Sequence, residues 1–127
     1  MMKFSGVCLI TDDVPALVKF YVMALGQPAE GDDEHATFEL GGAGLAIFTR
    51  RGMEQMAPGS MVGYAPGGCT LMFEVADVDA EFERLTAQGV EMVKPPLTYP
   101  WGSRSFWFRD PEGNIVDFMM RVDQPAV

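Results

Sequence analysis

The chain has 127 residues, 48% of them hydrophobic and 21% charged, which fits one soluble globular domain with a real core and excludes fibrous and disordered classes. Its formal charge of −9, from 18 Asp plus Glu against 9 Lys plus Arg, is the wrong sign for nucleic acid, so no nucleic-acid partner is expected. Cys8 and Cys69 make neither a disulfide framework nor a metal-type pair, and the N-terminal apolar run is too short for a signal peptide or a membrane span. No membrane partner and a cytoplasmic location are the expectations.

In chain order, the first readable segment is "GVCLITDDVPALVKFYVMALG", Gly6 to Gly26: an apolar strand, an aspartate, an amphipathic run and a glycine. Asp13 can accept hydrogen bonds from the free N–H groups of the first turn, Pro15 is tolerated that early, and Leu17, Phe20, Tyr21 and Ala24 recur at helical spacing. Gly26 suits the left-handed residue that ends a helix. A weak strand near Ala29 follows, then "HATFEL" and "GLAIFT" around Gly41 and Gly42, which read as a hairpin. His35, the chain's one histidine, starts this hairpin beside three acidic residues and reads as a solvated edge residue.

Arg50 to Gly68 has no period and many glycines, and is expected to be either a functional loop or a linker. The pattern then repeats. "TLMFEVADVDAEFERLTAQG" aligns on the first segment with Asp77 lying 64 residues beyond Asp13, and Gly89 closes the helix carried by Val78, Phe82 and Leu85. A weak strand around Glu91 to Val93 precedes a second hairpin, "RSFWFR" and "NIVDFMM", turned by Asp110-Pro111-Glu112-Gly113. Aspartate suits position i of a type I turn, proline i+1, and glycine the position of positive φ. That turn pairs Asp110 with Asn114, so Phe108 faces Val116, Phe106 faces Phe118, and Trp107 faces Asp117 on the other side of the sheet.

The expected fold is α+β: two tandem β-α-β-β-β modules, residues 4–57 and 68–121 joined by the 50–68 segment, forming a curved mixed sheet around a concave cleft. Alternation leaves Thr70, Met72 and Glu74 on the side away from the helices, with Gly6, Cys8 and Ile10 their equivalents. Placing Gly113 over Gly44 sets Phe48 where Asp117 sits. The candidate ligand-binding surface is then Phe48, Met72, Glu39, Glu74, Trp107 and Asp117, with Trp101, Tyr64 and Tyr99 as loop residues able to close it. Met53, Met56 and Met61 are adaptable gap-fillers, and whether their loop is a lid or a dimer contact stays open. Cys8 reads as a small buried hydrophobe before a nucleophile.

With the two module copies and "PWGSRSFWFRDPEGNIVDF", the chain resembles the vicinal oxygen chelate superfamily: glyoxalases, extradiol dioxygenases and bleomycin resistance proteins. The resemblance implies a homodimer and, in the enzymes, a divalent metal held by one side chain from the first and last strand of each module. Those positions carry over to Gly6, Phe48, Thr70 and Asp117, and only Asp117 is a metal-ligand type, so no metal cofactor is expected. What remains resembles the metal-free branch, implying sequestration of a small apolar aromatic or cationic compound of drug or toxin type. The alternative is a lyase or dioxygenase-type enzyme with a non-standard metal site or with Asp117 as general base.

Overall fold

The computed structural model describes residues 1–123. The chain forms two compact units, the first ending at Pro66 and the second starting at Gly67. In unit 1, strand β1 (Gly6–Thr11) leads to helix α1 (Val14–Leu25), then β2 (Glu30–Gly31), β3 (His35–Glu39), β4 (Gly44–Thr49) and a short helix α2 (Arg50–Met56). In unit 2, β5 (Thr70–Glu74) and helix α3 (Val78–Ala87) are followed by β6 (Met92–Tyr99), β7 (Ser103–Arg109) and β8 (Ile115–Arg121). Each unit has one four-stranded mixed sheet, ordered β1-β4-β3-β2 and β5-β8-β7-β6, with the first and last strands parallel. The β-α-β-β-β module is present twice.

Capping chemistry sets both long helices. Asp13 accepts from the Ala16 N–H at 3.1 Å and Asp77 from the Ala80 N–H at 3.0 Å. Val14, Leu17, Tyr21 and Ala24 are buried on α1, and Val78 and Leu85 on α3, so each helix lies on its own sheet by one apolar stripe. The unit 1 core joins Tyr21 to Phe38, Leu45 and Ile47; that of unit 2 is a cluster of Phe106, Phe108 and Phe118 with ring centroids 4.9 to 5.8 Å apart.

The second hairpin has the register its turn dictates: Phe106 pairs with Phe118, Trp107 with Asp117, Phe108 with Val116. Buried Asp110 fixes it, its carboxylate accepting from the Glu112 and Asn114 N–H groups and from Asn114 Nδ2, each at 2.9 Å. Gly113, at φ 87°, takes the conformation a side chain would resist.

Three expectations change. The 50–68 segment is not without structure: it opens on α2, capped by Thr49, whose hydroxyl accepts from the Gly52 N–H at 2.9 Å. Seven residues with a glycine among them show too little periodicity to announce a helix, and packing on the sheet supplies what propensity lacks. The β6 strand is longer than the Glu91–Val93 stretch, running to Tyr99 because an edge strand accommodates Pro95 and Pro96 where its register slips. The unit 1 strand near Ala29 is the two-residue β2.

Candidate functional site

Alternation puts a second set of residues on the face of each sheet away from its long helix. In unit 2 the strand register lines four of them up across all four strands: Lys94 on β6 opposite Trp107 on β7, Trp107 opposite Asp117 on β8, Asp117 opposite Met72 on β5. Three of these, Met72, Trp107 and Asp117, are sequence candidates, and the structure brings them together. Glu74, two residues along from Met72 and opposite Met119, is exposed on the same face.

Lys94 is the residue that sequence reasoning missed. Its ammonium donates to the Ser105 carbonyl at 2.7 Å and to Ser105 Oγ at 3.1 Å. It also sits over two rings, 5.0 Å from the Tyr99 centroid and 5.3 Å from that of Trp107. Tyr99 in turn stacks on Trp101 at 4.7 Å and 6°. Tyr99 and Trp101 are therefore not free loop residues: Tyr99 ends β6 and Trp101 rests against it in the hairpin, 75% exposed.

Asp117 is only 8% exposed, and burial pushes its carboxyl above the usual carboxylate range. The Lys94 charge and the Trp107 indole N–H oppose that shift by favouring the ionised form. The indole and the carboxylate are close without closing a hydrogen bond of normal geometry, and Trp107 Nε1 and Asp117 Oδ1 are both buried with no hydrogen-bond partner among the described residues. A native structure carries few such groups, and paired on one face they are a polar feature that a ligand can complete.

Unit 1 is different at the same places. Its row is Cys8, Ala46, Thr37 and Glu30. Small side chains here leave a pocket of about 280 Å³ lined by Gly6, Cys8, Thr37, Glu39, Gly44 and Ala46 among others. Cys8 is exposed rather than buried, because glycine and alanine neighbours give it no cover. Desolvation raises its thiol pKa, the wrong direction for a nucleophile. Glu39 sits at one end of the β3–β4 hairpin opposite Gly44, while Phe48 sits at the other end opposite His35, its ring edge-on to the imidazole at 5.5 Å. His35 itself is exposed. Phe48 also underlies α2: a Cβ on Gly52 would come within 2.4 Å of its ring. Tyr64, the other presumed closing residue, is covered by the Arg50 guanidinium at 5.3 Å.

The register corrects one correspondence. Asp117 lies opposite Met72 and Ala46 opposite Cys8, so Ala46, not Phe48, is the unit 1 counterpart of Asp117, and Phe48 corresponds to Met119. The two hairpin turns differ in length, so aligning their glycines misplaced the strand by two residues and kept the face. Ala46 is no better a ligand. Gly6 has no donor and no room for one, since a Cβ there would come within 2.2 Å of the Gly44 carbonyl oxygen. Among the described residues no cluster of three or more His, Cys, Asp or Glu is placed to hold a metal ion. The side chains present do not fit the divalent metal of the enzymes that the sequence resembles.

The model of the glyoxalase/bleomycin resistance protein/dioxygenase superfamily matches residues 3–118, and the chain belongs to that superfamily. It is 31% identical over 123 residues to YraH of Bacillus subtilis, an uncharacterised protein, covering 91% of this chain and 96% of that one. Among solved structures, it is similar to a glyoxalase/bleomycin resistance protein/dioxygenase from Nocardioides, with TM-score 0.80, 27% identity, and coverage of 100% of this chain and 89% of that one. A family member from Burkholderia phytofirmans superposes with TM-score 0.85 at 19% identity, over 95% of this chain and all (100%) of that one, which speaks for the fold alone.

Proposed function

We propose that this protein binds a small, flat, apolar aromatic compound without a metal, as a sequestering protein, on the helix-free face of unit 2. The observation that carries the reading is the row Lys94, Trp107, Asp117 and Met72, in which an indole, an exposed thioether and two unpartnered polar atoms adjoin. Aromatic side chains stack on flat rings, and methionine adapts to varied shapes. Trp101 adds a stacking platform with its outer surface exposed. The donor set at Gly6, Ala46, Thr70 and Asp117 supports the metal-free form of this reading. The same reading takes the protein as cytoplasmic, which its two free cysteines suit, and as a homodimer, for which the edge strands β1 and β5 offer pairing surfaces.

Elemental analysis together with a thermal-shift screen tests it. Metal-stripped protein should melt higher with flat aromatic compounds, by the equivalent of about 2.7 kcal/mol at a hundredfold excess over Kd. Stoichiometric bound metal, with a melting temperature that rises for divalent ions and for no organic compound, overturns it.

One observation favours a second reading: a buried carboxyl held above its usual range, as at Asp117, is what a general base needs. On that reading activity rises with pH through the Asp117 titration, and Asp117→Asn abolishes it while leaving binding in place.

A further inference from the structure

Building on the proposed binding reading, the geometry points to Lys94 as the specificity-determining residue of the unit 2 face, and to a planar aromatic acid, a carboxylate or comparable anion on a flat ring, as the class of ligand. The cationic compound that the sequence alone allows meets an obstacle here. Two of the three rings that would receive a cation already have one, since the Lys94 ammonium stands over both Tyr99 and Trp107, and the third, Trp101, stacks on Tyr99. A second positive charge would take a place beside the first and be repelled by it.

An anion meets the opposite conditions. A lysine ammonium has three N–H donors, and Ser105 accepts two through its carbonyl and its Oγ, which holds the head in place and leaves one donor for a ligand. The buried Trp107 indole N–H lies beside the Asp117 carboxyl without closing a hydrogen bond of normal geometry, so the Lys94 ammonium is the donor that meets the ligand. That one charged donor suits an oxygen of a carboxylate, while the stacked Tyr99–Trp101 pair supplies a flat apolar surface next to it. Asp117 is the facing negative charge on the row, and Glu74 lies off it, two residues along β5 from Met72. Burial works against the charge on Asp117, and Glu74 is exposed to solvent screening, so neither cancels the ammonium.

This differs from the long-range field. At −9 the whole protein repels anions, so recognition of one depends on a local donor that the net charge conceals.

The test uses two probes of one shape and opposite charge, naphthoate and naphthylmethylammonium, titrated by calorimetry into the wild-type protein and into Lys94→Gln and Lys94→Arg. Wild type should prefer naphthoate. Lys94→Gln should lose about tenfold or more of that affinity, as expected for a charge-assisted hydrogen bond, and gain affinity for the ammonium probe. Lys94→Arg should retain naphthoate. Melting curves of both variants show whether the fold is kept; if Lys94→Gln unfolds, the preference of the wild type between the two probes and the behaviour of Lys94→Arg still decide. Equal or better binding of the ammonium probe to wild type overturns the assignment while leaving aromatic binding intact. Binding of neither probe removes the binding reading and this inference with it.

Discussion

Across the sheet of unit 1 the row reads Cys8, Ala46, Thr37, Glu30; across the sheet of unit 2, at the same register positions, it reads Met72, Asp117, Trp107, Lys94. One row leaves a pocket of about 280 Å³ beside it, and the other is occupied by an indole, a buried carboxylate and a held ammonium. The caps of the long helices and the pairing of the strands show no such divergence. Asp13 and Asp77 cap their helices alike, and the parallel pairing of first and last strands is the same in both units. A duplicated module must keep its caps, its core stripe and its register in each copy to fold, while the opposite face is free to specialise.

The sharpest way to break the comparison is at the two matched strand starts. Gly6→Ser places a Cβ against the Gly44 carbonyl and should cost about 3 kcal/mol or more, whereas Thr70→Ser, at the counterpart in unit 2, should leave the melting temperature nearly unchanged. If both variants melt alike, the two strand pairs are not as different as the Gly6–Gly44 approach implies.

Next in size is the turn. Asp110→Ala strips the acceptor from two backbone N–H groups and the Asn114 amide in a buried position, and should cost about 2 kcal/mol by chemical denaturation. Gly41→Ala, in the glycine turn of unit 1 where no side-chain network is involved, should cost about 1 kcal/mol from its positive φ alone.

Asp117 provides a smaller and pH-dependent effect. Its folded pKa is raised, so the native state holds the proton more tightly than the unfolded chain, and stability falls as pH rises from the unfolded carboxylate value through the folded one. Asp117→Asn removes that loss: the variant should melt roughly 3 °C higher than wild type at pH 8 and converge with it in mild acid. A variant that melts lower at pH 8 would mean that the Lys94 attraction outweighs burial. Least affected should be Arg104→Gln. The Arg104–Asp79 pair is well formed at 2.7 and 2.9 Å, but it is solvent-exposed on the Asp79 side, and its loss should leave melting within experimental error.

Much of this could be read from the sequence because it rests on local chemistry. Asp110-Pro111-Glu112-Gly113 dictates its own turn, and the turn dictates which side Trp107 and Asp117 share. Lys94 escaped because Pro95 and Pro96 interrupt the alternation just after it, and the bulge they cause is visible only in the pairing. The helix α2 escaped because its stability is tertiary, with Gly52 seated on Phe48. The correspondence of Phe48 with Asp117 failed for a related reason: a glycine marks a turn without fixing how many residues the turn uses.

The most direct test of the account is to follow the Trp107 indole N–H resonance in a Trp101→Phe variant, where it is the one indole signal left, while naphthoate is added. The account predicts a saturable shift of that signal with the amides of Asp117 and Lys94 moving alongside it, and the Cys8 and Ala46 amides unmoved. An unmoved indole with shifts confined to Cys8 and Ala46 would place the ligand in the pocket of unit 1 and contradict it.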